Sequence, residues 1–146
     1  MNSRIIKFGG RRLDNGEWAY GDLVIDDSGN CEIIDYKSNR EIRHVVDGST
    51  IGQFTGLKDA QGQEIYEGDI IRSDCKVGRP GDMPIRHFIR YNDERASFTA
   101  VLIDRFIFTD LQTECAVPQK WISKFGKRVA GNIYSNYITN KKNDNG

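Results

Sequence analysis

Along this chain the apolar positions come in short runs, broken by glycines and by Asn, Asp and Ser clusters. That spacing predicts many short strands joined by tight turns. Arg4–Phe8 (RIIKF) reads as a first strand. Asp14-Asn15-Gly16 reads as a turn, because Asn-Gly takes positive φ at little cost. Glu17–Ile25 follows as a second strand, with Trp18, Tyr20, Asp22 and Val24 on one face and Ala19, Leu23 and Ile25 on the other. Asp26–Asn30 is the next turn and Cys31–Tyr36 the third strand. Lys37–Arg43 is charged and reads as a loop, and His44–Val46 as a short strand.

Asp47-Gly48-Ser49 is the candidate boundary. It divides the chain into an N-terminal β subdomain (1–48), a second β subdomain (49–135) and a polar tail (136–146) expected to be disordered. In the second subdomain Thr50–Phe54 is β-like, and Asp59–Gly62 and Glu67–Asp69 are turns, the latter leading into a strand at Ile70-Ile71. Lys76–Pro84, with two glycines and two prolines, reads as an exposed loop. Strands are expected at Ile85–Tyr91 and Ser97–Ile103, a short β piece at Phe106–Phe108 and a last strand at Lys127–Tyr134. Gln119–Phe125 fits one helical turn or a strand equally well. No segment keeps a 3.6-residue period over three turns, so the fold class is mainly β, a small barrel or roll.

Composition adds limits. The 146 residues fit one domain or two tightly joined subdomains, and 38% hydrophobic residues suffice for a core. Lys+Arg and Asp+Glu both number 21, so the formal charge is zero. That balance argues against a large nucleic-acid footprint but leaves room for a local basic patch. Cys31, Cys75 and Cys115 form no CxxC pair, and read as free thiols of a reducing cytoplasm. The N-terminus lacks the apolar core of a signal peptide, and no stretch approaches the roughly 20 apolar residues of a membrane span. A soluble cytoplasmic protein with no membrane contact is the expectation.

The search for catalytic chemistry finds little. His44 and His87 have no ligand-spaced partner, HExxH and GxSxG are absent, and Gly9-Gly10-Arg11-Arg12 lacks the rest of a phosphate loop. That segment reads instead as a β-bulge or strand exit with two solvated arginines. No cofactor or metal site is expected. A metal-dependent hydrolase would need the turn carboxylates near Asp59, Glu67 and Asp69 to converge, which spacing alone does not show. The best binding hint is basic. Arg86, Arg90, Arg95 and Arg105 flank Phe88, Tyr91 and Phe98, and Lys120, Lys124, Lys127 and Arg128 cluster near Trp121; Arg86, Arg90, Arg95, Lys124, Lys127 and Arg128 are the candidate contacts. Arginine beside aromatics suits single-stranded bases, although strands alternate charged and aromatic residues whenever one face is buried.

Two stretches carry a resemblance: Gly52–Arg72 (GQFTGLKDAQGQEIYEGDIIR) and Val129–Asn136 (VAGNIYSN). With the earlier IKF at Ile6–Phe8 and GEWAYGDL at Gly16–Leu23, they make the chain resemble the YopX family of small phage and prophage proteins. The resemblance spans nearly the whole chain in order and is thinnest over Lys76–Gln119. It implies an SH3-like β-roll for the C-terminal part and an accessory role in a bacterial host, with no established activity and no catalytic residues. The motif residues are Gln53, Phe54, Thr55, Gly56, Leu57, Asp59, Gly62, Ile65, Tyr66, Gly68, Asp69, Gly131, Asn132 and Tyr134. Their types give them structural work, since turns need Gly and Asp and a roll needs apolar plugs. The competing reading makes Lys58, Asp59, Glu67 and Asp69 a ligand site. The expectation is therefore a non-enzymatic protein acting by macromolecular binding or self-assembly, as a homo-oligomer that covers its sheet edges. A weak, sequence-tolerant nucleic-acid binder and a hydrolase are the alternatives.

Overall fold

The computed structural model describes residues 4–73, 85–103 and 114–134. The chain divides into two compact units, Met1–Gly56 and Leu57–Gly146.

The first unit is a single antiparallel sheet of β1 (Phe8–Arg12), β2 (Trp18–Ile25), β3 (Cys31–Lys37) and β4 (Arg40–Lys58). β1 bonds to β2 on one side and to β4 on the other, so the order β1-β2-β3-β4 returns on itself. Alternation puts Ala19, Cys31, Ile33 and Val46 on the inner face, with Phe8, Leu23 and Ile51 packed against them.

Three expectations change here. The first strand is Phe8–Arg12 rather than Arg4–Phe8. Its glycines let it run close to β4: a side chain at Gly10 would begin 3.0 Å from a Val46 methyl. The register to β4 shifts between Gly9 and Arg11, a bulge at the position where one was expected. Its arginines, however, are half-buried and engaged, Arg11 Nε donating to the Gly16 carbonyl at 2.9 Å and Arg12 forming a 2.6 Å ion pair with Asp14. Second, the charged segment is no loop. Ser38 and Asn39, at φ 52° and 63°, make the whole reversal, and β3 and β4 pair from Lys37↔Arg40 onward. Two central residues at positive φ match the twist of a hairpin, which charge content alone does not reveal. Third, β4 continues through Asp47-Gly48-Ser49. Side chains absorb the irregularity: the Ser49 amide and hydroxyl donate to Asp47, and the Thr50 hydroxyl donates to the Asp47 carbonyl and accepts from the Arg11 amide.

The second unit takes in the last residues of β4, Leu57 and Lys58, and the turn 59–63 then leads into β5 (Glu64–Tyr66). The remaining strands, β6 (Asp69–Ser73), β7 (Ile85–Asn92), β8 (Ser97–Leu102), β9 (Glu114–Ala116) and β10 (Arg128–Asn132), form an antiparallel sheet ordered β10-β6-β7-β8-β9. Between β9 and β10 lie α1 (Gln119–Ser123) and a 3-10 turn (Lys124–Gly126), which resolves the open segment as helical. One face of the sheet closes a core of Ile65, Ile71, Ile89, Ala100 and Ile122, each at most 1% exposed. Leu57, Phe98, Trp121 and Val129 pack around it. The expected loop Lys76–Pro84, the piece Phe106–Phe108, Cys75 and the tail 136–146 lie outside the described residues.

Candidate functional site

Three clusters bear on function: the polar motif network, the basic residues of the second sheet and a groove in the first unit.

Asp59 and Asp69 are both buried. Asp59 Oδ1 accepts the amides of Gln61 and Gln63, each at 2.8 Å, and its Oδ2 accepts the Val129 amide at 2.9 Å. One carboxylate thus closes the 59–63 turn and ties it to β10. Gly62, at φ +85°, completes the reversal with its amide on the Asp59 carbonyl. Asp69 plays the matching part at the next turn. Its Oδ2 accepts the Tyr66 amide at 2.8 Å and its Oδ1 the Asn132 side-chain amide at 3.0 Å, while Asn132 Oδ1 accepts the Tyr134 amide. Gly68 sits between them at φ +93°, with its amide on the Ile89 carbonyl and its own carbonyl accepting the Ile133 amide. A side chain there would press on Asn132 and Tyr134 at 3.1 Å. Burial raises the Asp69 pKa to about 6, against the lowering pull of its two donors, and the nearby Asp59 charge adds to the rise. Every oxygen of both carboxylates therefore holds at least one N–H of the fold. Among the described residues no group of three or more His, Cys, Asp or Glu is placed to hold a metal ion.

The remaining motif residues also serve packing. Phe54 is buried with its amide on the Lys7 carbonyl, Ile65 and Tyr66 are buried, and Leu57 packs on the core. Gln53 and Thr55 are half-buried in β4 and Gly131 half-buried in β10. Gly56, at φ +86°, has open space around it. Of the other residues weighed for a ligand site, Lys58 is exposed and Glu67 receives the Tyr91 amide at 3.4 Å.

The six basic candidates do not gather into one patch. Lys127 is 5% exposed; its Nζ donates to the Trp121 and Lys124 carbonyls and lies 4.3 Å from the Trp121 ring centre. It neutralises the end of the helical segment instead of facing a ligand. Arg90 donates from Nε and from one terminal nitrogen to the two Glu114 oxygens (2.7 and 2.8 Å). Glu114 also accepts from Thr99 and Asn92, and these donors, Arg90 first, lower its pKa to about 2. Arg95 and Lys124 are exposed at separate turns. Arg86 and Arg128 do come together, through a residue the sequence did not single out. Arg128 pairs with Arg72, and Arg72 with Arg86. Directly opposed residues project to the same face, so three arginines stand in one row across β10, β6 and β7. Phe88 shares that face at period two, whereas Tyr91 lies on the other, edge-on to Phe98 at 5.5 Å.

In the first unit an open groove of about 710 Å³ is walled by Ile5, Ile6, Trp18, Tyr20, Ile34, Tyr36 and Ile42. Lys7, Arg12, Lys37 and His44 line it together with Glu17, Asp22 and Asp35. His87, the other histidine, stacks edge-on against Trp121 at 5.2 Å in the second unit. Cys31 is a buried free thiol and Cys115 a half-buried one. No helix among the described residues is long and apolar enough to cross a membrane.

The sequence model described as YopX protein matches residues 8–137. The chain belongs to the YopX family. Among solved structures it is similar to protein EF1440 from Enterococcus faecalis, at 27% identity and a TM-score of 0.58, over 92% of this chain and 97% of that one. A comparison with the curated proteins gives no match.

In this YopX protein the two motif stretches are the two halves of one clamp, since Asp59 and Asp69 of the first stretch hold Val129 and Asn132 of the second. Sequence reading paired the stretches by resemblance but had no way to pair Asp with its amides seventy residues on. Glu114 was missed for a similar reason: its donors Arg90, Asn92 and Thr99 come from two other strands. Arg72 carried one usable signal, its position two residues after buried Ile70 in a short strand.

Proposed function

We propose that this YopX protein is a non-enzymatic accessory protein of phage or prophage type. It acts in the host cytoplasm by docking a macromolecular partner on its first unit, and that partner is a second copy of the chain. The observation that carries this reading is where exposed apolar side chains fall. Ile5, Ile6, Leu13, Tyr20, Val24, Ile25, Tyr36, Ile42 and Val45 are exposed in the first unit, against Tyr91 among the described residues of the second. Single exposed apolar residues are ordinary, but a concentration around a groove marks an interaction surface. Charge favours self-recognition. Lys7, Arg12 and Lys37 line the groove together with Glu17, Asp22 and Asp35, Lys37 and Asp35 as an ion pair, and the chain as a whole has zero formal charge. An isologous contact sets a patch against itself, which equal numbers of both signs allow. For the second unit an SH3-like roll is the finer reading. It is supported by the β6-β7-β8-β9 meander and by β10 returning beside β6 after a short helical segment.

Sedimentation equilibrium of the full chain tests the partner. The wild type should show a monomer–dimer equilibrium, and Tyr36→Asp, at a 61% exposed position, should shift it to monomer with the melting temperature unchanged. A wild type that stays monomeric at all accessible concentrations contradicts the proposal.

A further inference from the structure

Resting on the self-association proposed above, we infer that two copies join edge to edge through β3, with Asp35-Tyr36-Lys37 pairing antiparallel to the same three residues of the second copy. The edge exists because two strands part. β2 and β3 pair from Ile25↔Cys31 to Asp22↔Ile34 and no farther. Beyond that point β2 turns to β1, through Phe8↔Gly21 to Arg11↔Trp18, while Asp35, Tyr36 and Lys37 stay with β4. The groove of the first unit is the gap between them, with 18–22 on one wall and 34–37 on the other. At its apex a side chain on Gly21 would run into the Ile34 carbonyl oxygen, so only glycine lets the strands part this sharply. Asp35–Lys37 is left as a strand with β4 on one side and, among the described residues, no paired strand on the other.

The hairpin sets which backbone groups face the gap. Ser38 and Asn39, both at positive φ, form a two-residue loop, and the pair that closes such a loop exchanges both of its N–H···O bonds. Lys37↔Arg40 is that pair. Lys37 and Asp35 therefore turn their amides and carbonyls to β4, and Tyr36, between them, turns its own to the gap. An antiparallel neighbour centred on Tyr36 meets both groups at once, which is strand addition at a sheet edge. Charge selects the second copy as that neighbour. Edges usually carry charge that repels other strands. Here the two signs stand two residues apart and form an ion pair at 3.5 Å within the chain. Self-pairing about Tyr36 sets Asp35 opposite the second copy's Lys37, and Lys37 opposite its Asp35, so both pairs across the ladder are of opposite sign. On the other face Tyr36, 61% exposed, meets the second copy's Tyr36, an aromatic cross-strand pair. The contact is isologous and closes at two copies.

Sedimentation equilibrium of the full chain and its charge variants is the test. Asp35→Lys sets Lys against Lys twice across the ladder, and Lys37→Asp sets Asp against Asp twice. Each should raise the dimer dissociation constant about tenfold or more. Mixed in equal amounts, the two variants should dimerise with one another about as well as the wild type does, because every pair in the mixed ladder is again of opposite sign. The double variant D35K/K37D should also dimerise like the wild type. All of these should melt as the wild-type monomer does, since an ion pair as exposed as Asp35–Lys37 contributes little to folding. A dimeric wild type whose single variants remain equally dimeric, or single variants that fail to restore one another on mixing, would overturn the edge pairing and leave self-association through another part of the first unit. A monomeric wild type would overturn both.

Discussion

The two units solve opposite problems with similar sheets. In the second, five core residues are at most 1% exposed, a short helical segment lids the sheet, and two buried carboxylates satisfy the amides of the turns that join its strands. In the first, the inner cluster is smaller and nine large apolar side chains face outward. Extra strands and a lid give the second unit more apolar surface to hide, whereas four strands around Ile33 leave little interior for the rest. The motif follows the same division. Its polar residues Asp59, Asp69 and Asn132 hydrogen-bond the second unit's turns and last strand, with Gly68 at the reversal between them.

That contrast is open to attack. Asp59→Ala should have the largest effect, since it strands the amides of Gln61, Gln63 and Val129. At about 1–3 kcal/mol per unsatisfied amide the three would sum to about 3–9 kcal/mol, and roughly 3–6 kcal/mol is expected in urea unfolding because Gln61 and Gln63 are exposed and water replaces part of their loss. A loss under 1 kcal/mol would show that water replaces the carboxylate and that the clamp is dispensable. Ile89→Ala, at 1% exposure, should cost about 3 kcal/mol by the same assay.

Acidity sharpens the comparison further. Asp69 titrates at about 6 in the fold against an ordinary 3.8. The folded state therefore holds its proton more tightly than the unfolded state does. The stability this confers is complete below pH 3.8, lost as pH rises through about 6, and of order 3 kcal/mol. Glu114 runs the other way: with its folded pKa depressed to about 2, its contribution is present above its ordinary 4.5 and lost as pH falls toward 2. Melting temperature against pH should thus fall between about 4 and 6 in the wild type, and Asp69→Asn should flatten that interval. An unchanged profile in the variant would mean that Asp69 is better solvated than its burial implies. The smallest effect belongs to the first unit. Ile25→Ser, at a 60% exposed position, should change stability by no more than about 0.5 kcal/mol.

The sequence showed strands and turns well where chemistry is local. The turn at Asn15-Gly16, the strands at Ile85–Tyr91 and Ser97–Ile103, and the Glu67-Gly68-Asp69 reversal all appear, the strands to within one residue at their ends. It failed where a decision belongs to partner strands. The glycines of Phe8–Arg12 read as a bulge or a strand exit; the bulge is there, but inside a strand paired with both β2 and β4. Lys37–Arg43 looked too charged for a strand, yet its charges pair along the ladder, Arg43 with Glu32 and Glu41. The basic residues show the same limit most sharply. Lys127 reads as a surface cation and is buried, and Arg72 went unremarked although the register makes it the middle of the only arginine row among the described residues.

Amide hydrogen exchange of the full chain, compared at low and high protein concentration, tests the division of labour most directly. Protection that rises with concentration over 18–25 and 31–45, while the amides of Gln61, Gln63, Tyr66 and Val129 stay equally slow throughout, is the predicted result. Concentration-dependent protection confined to the second unit, or fast exchange at those clamp amides, would contradict it.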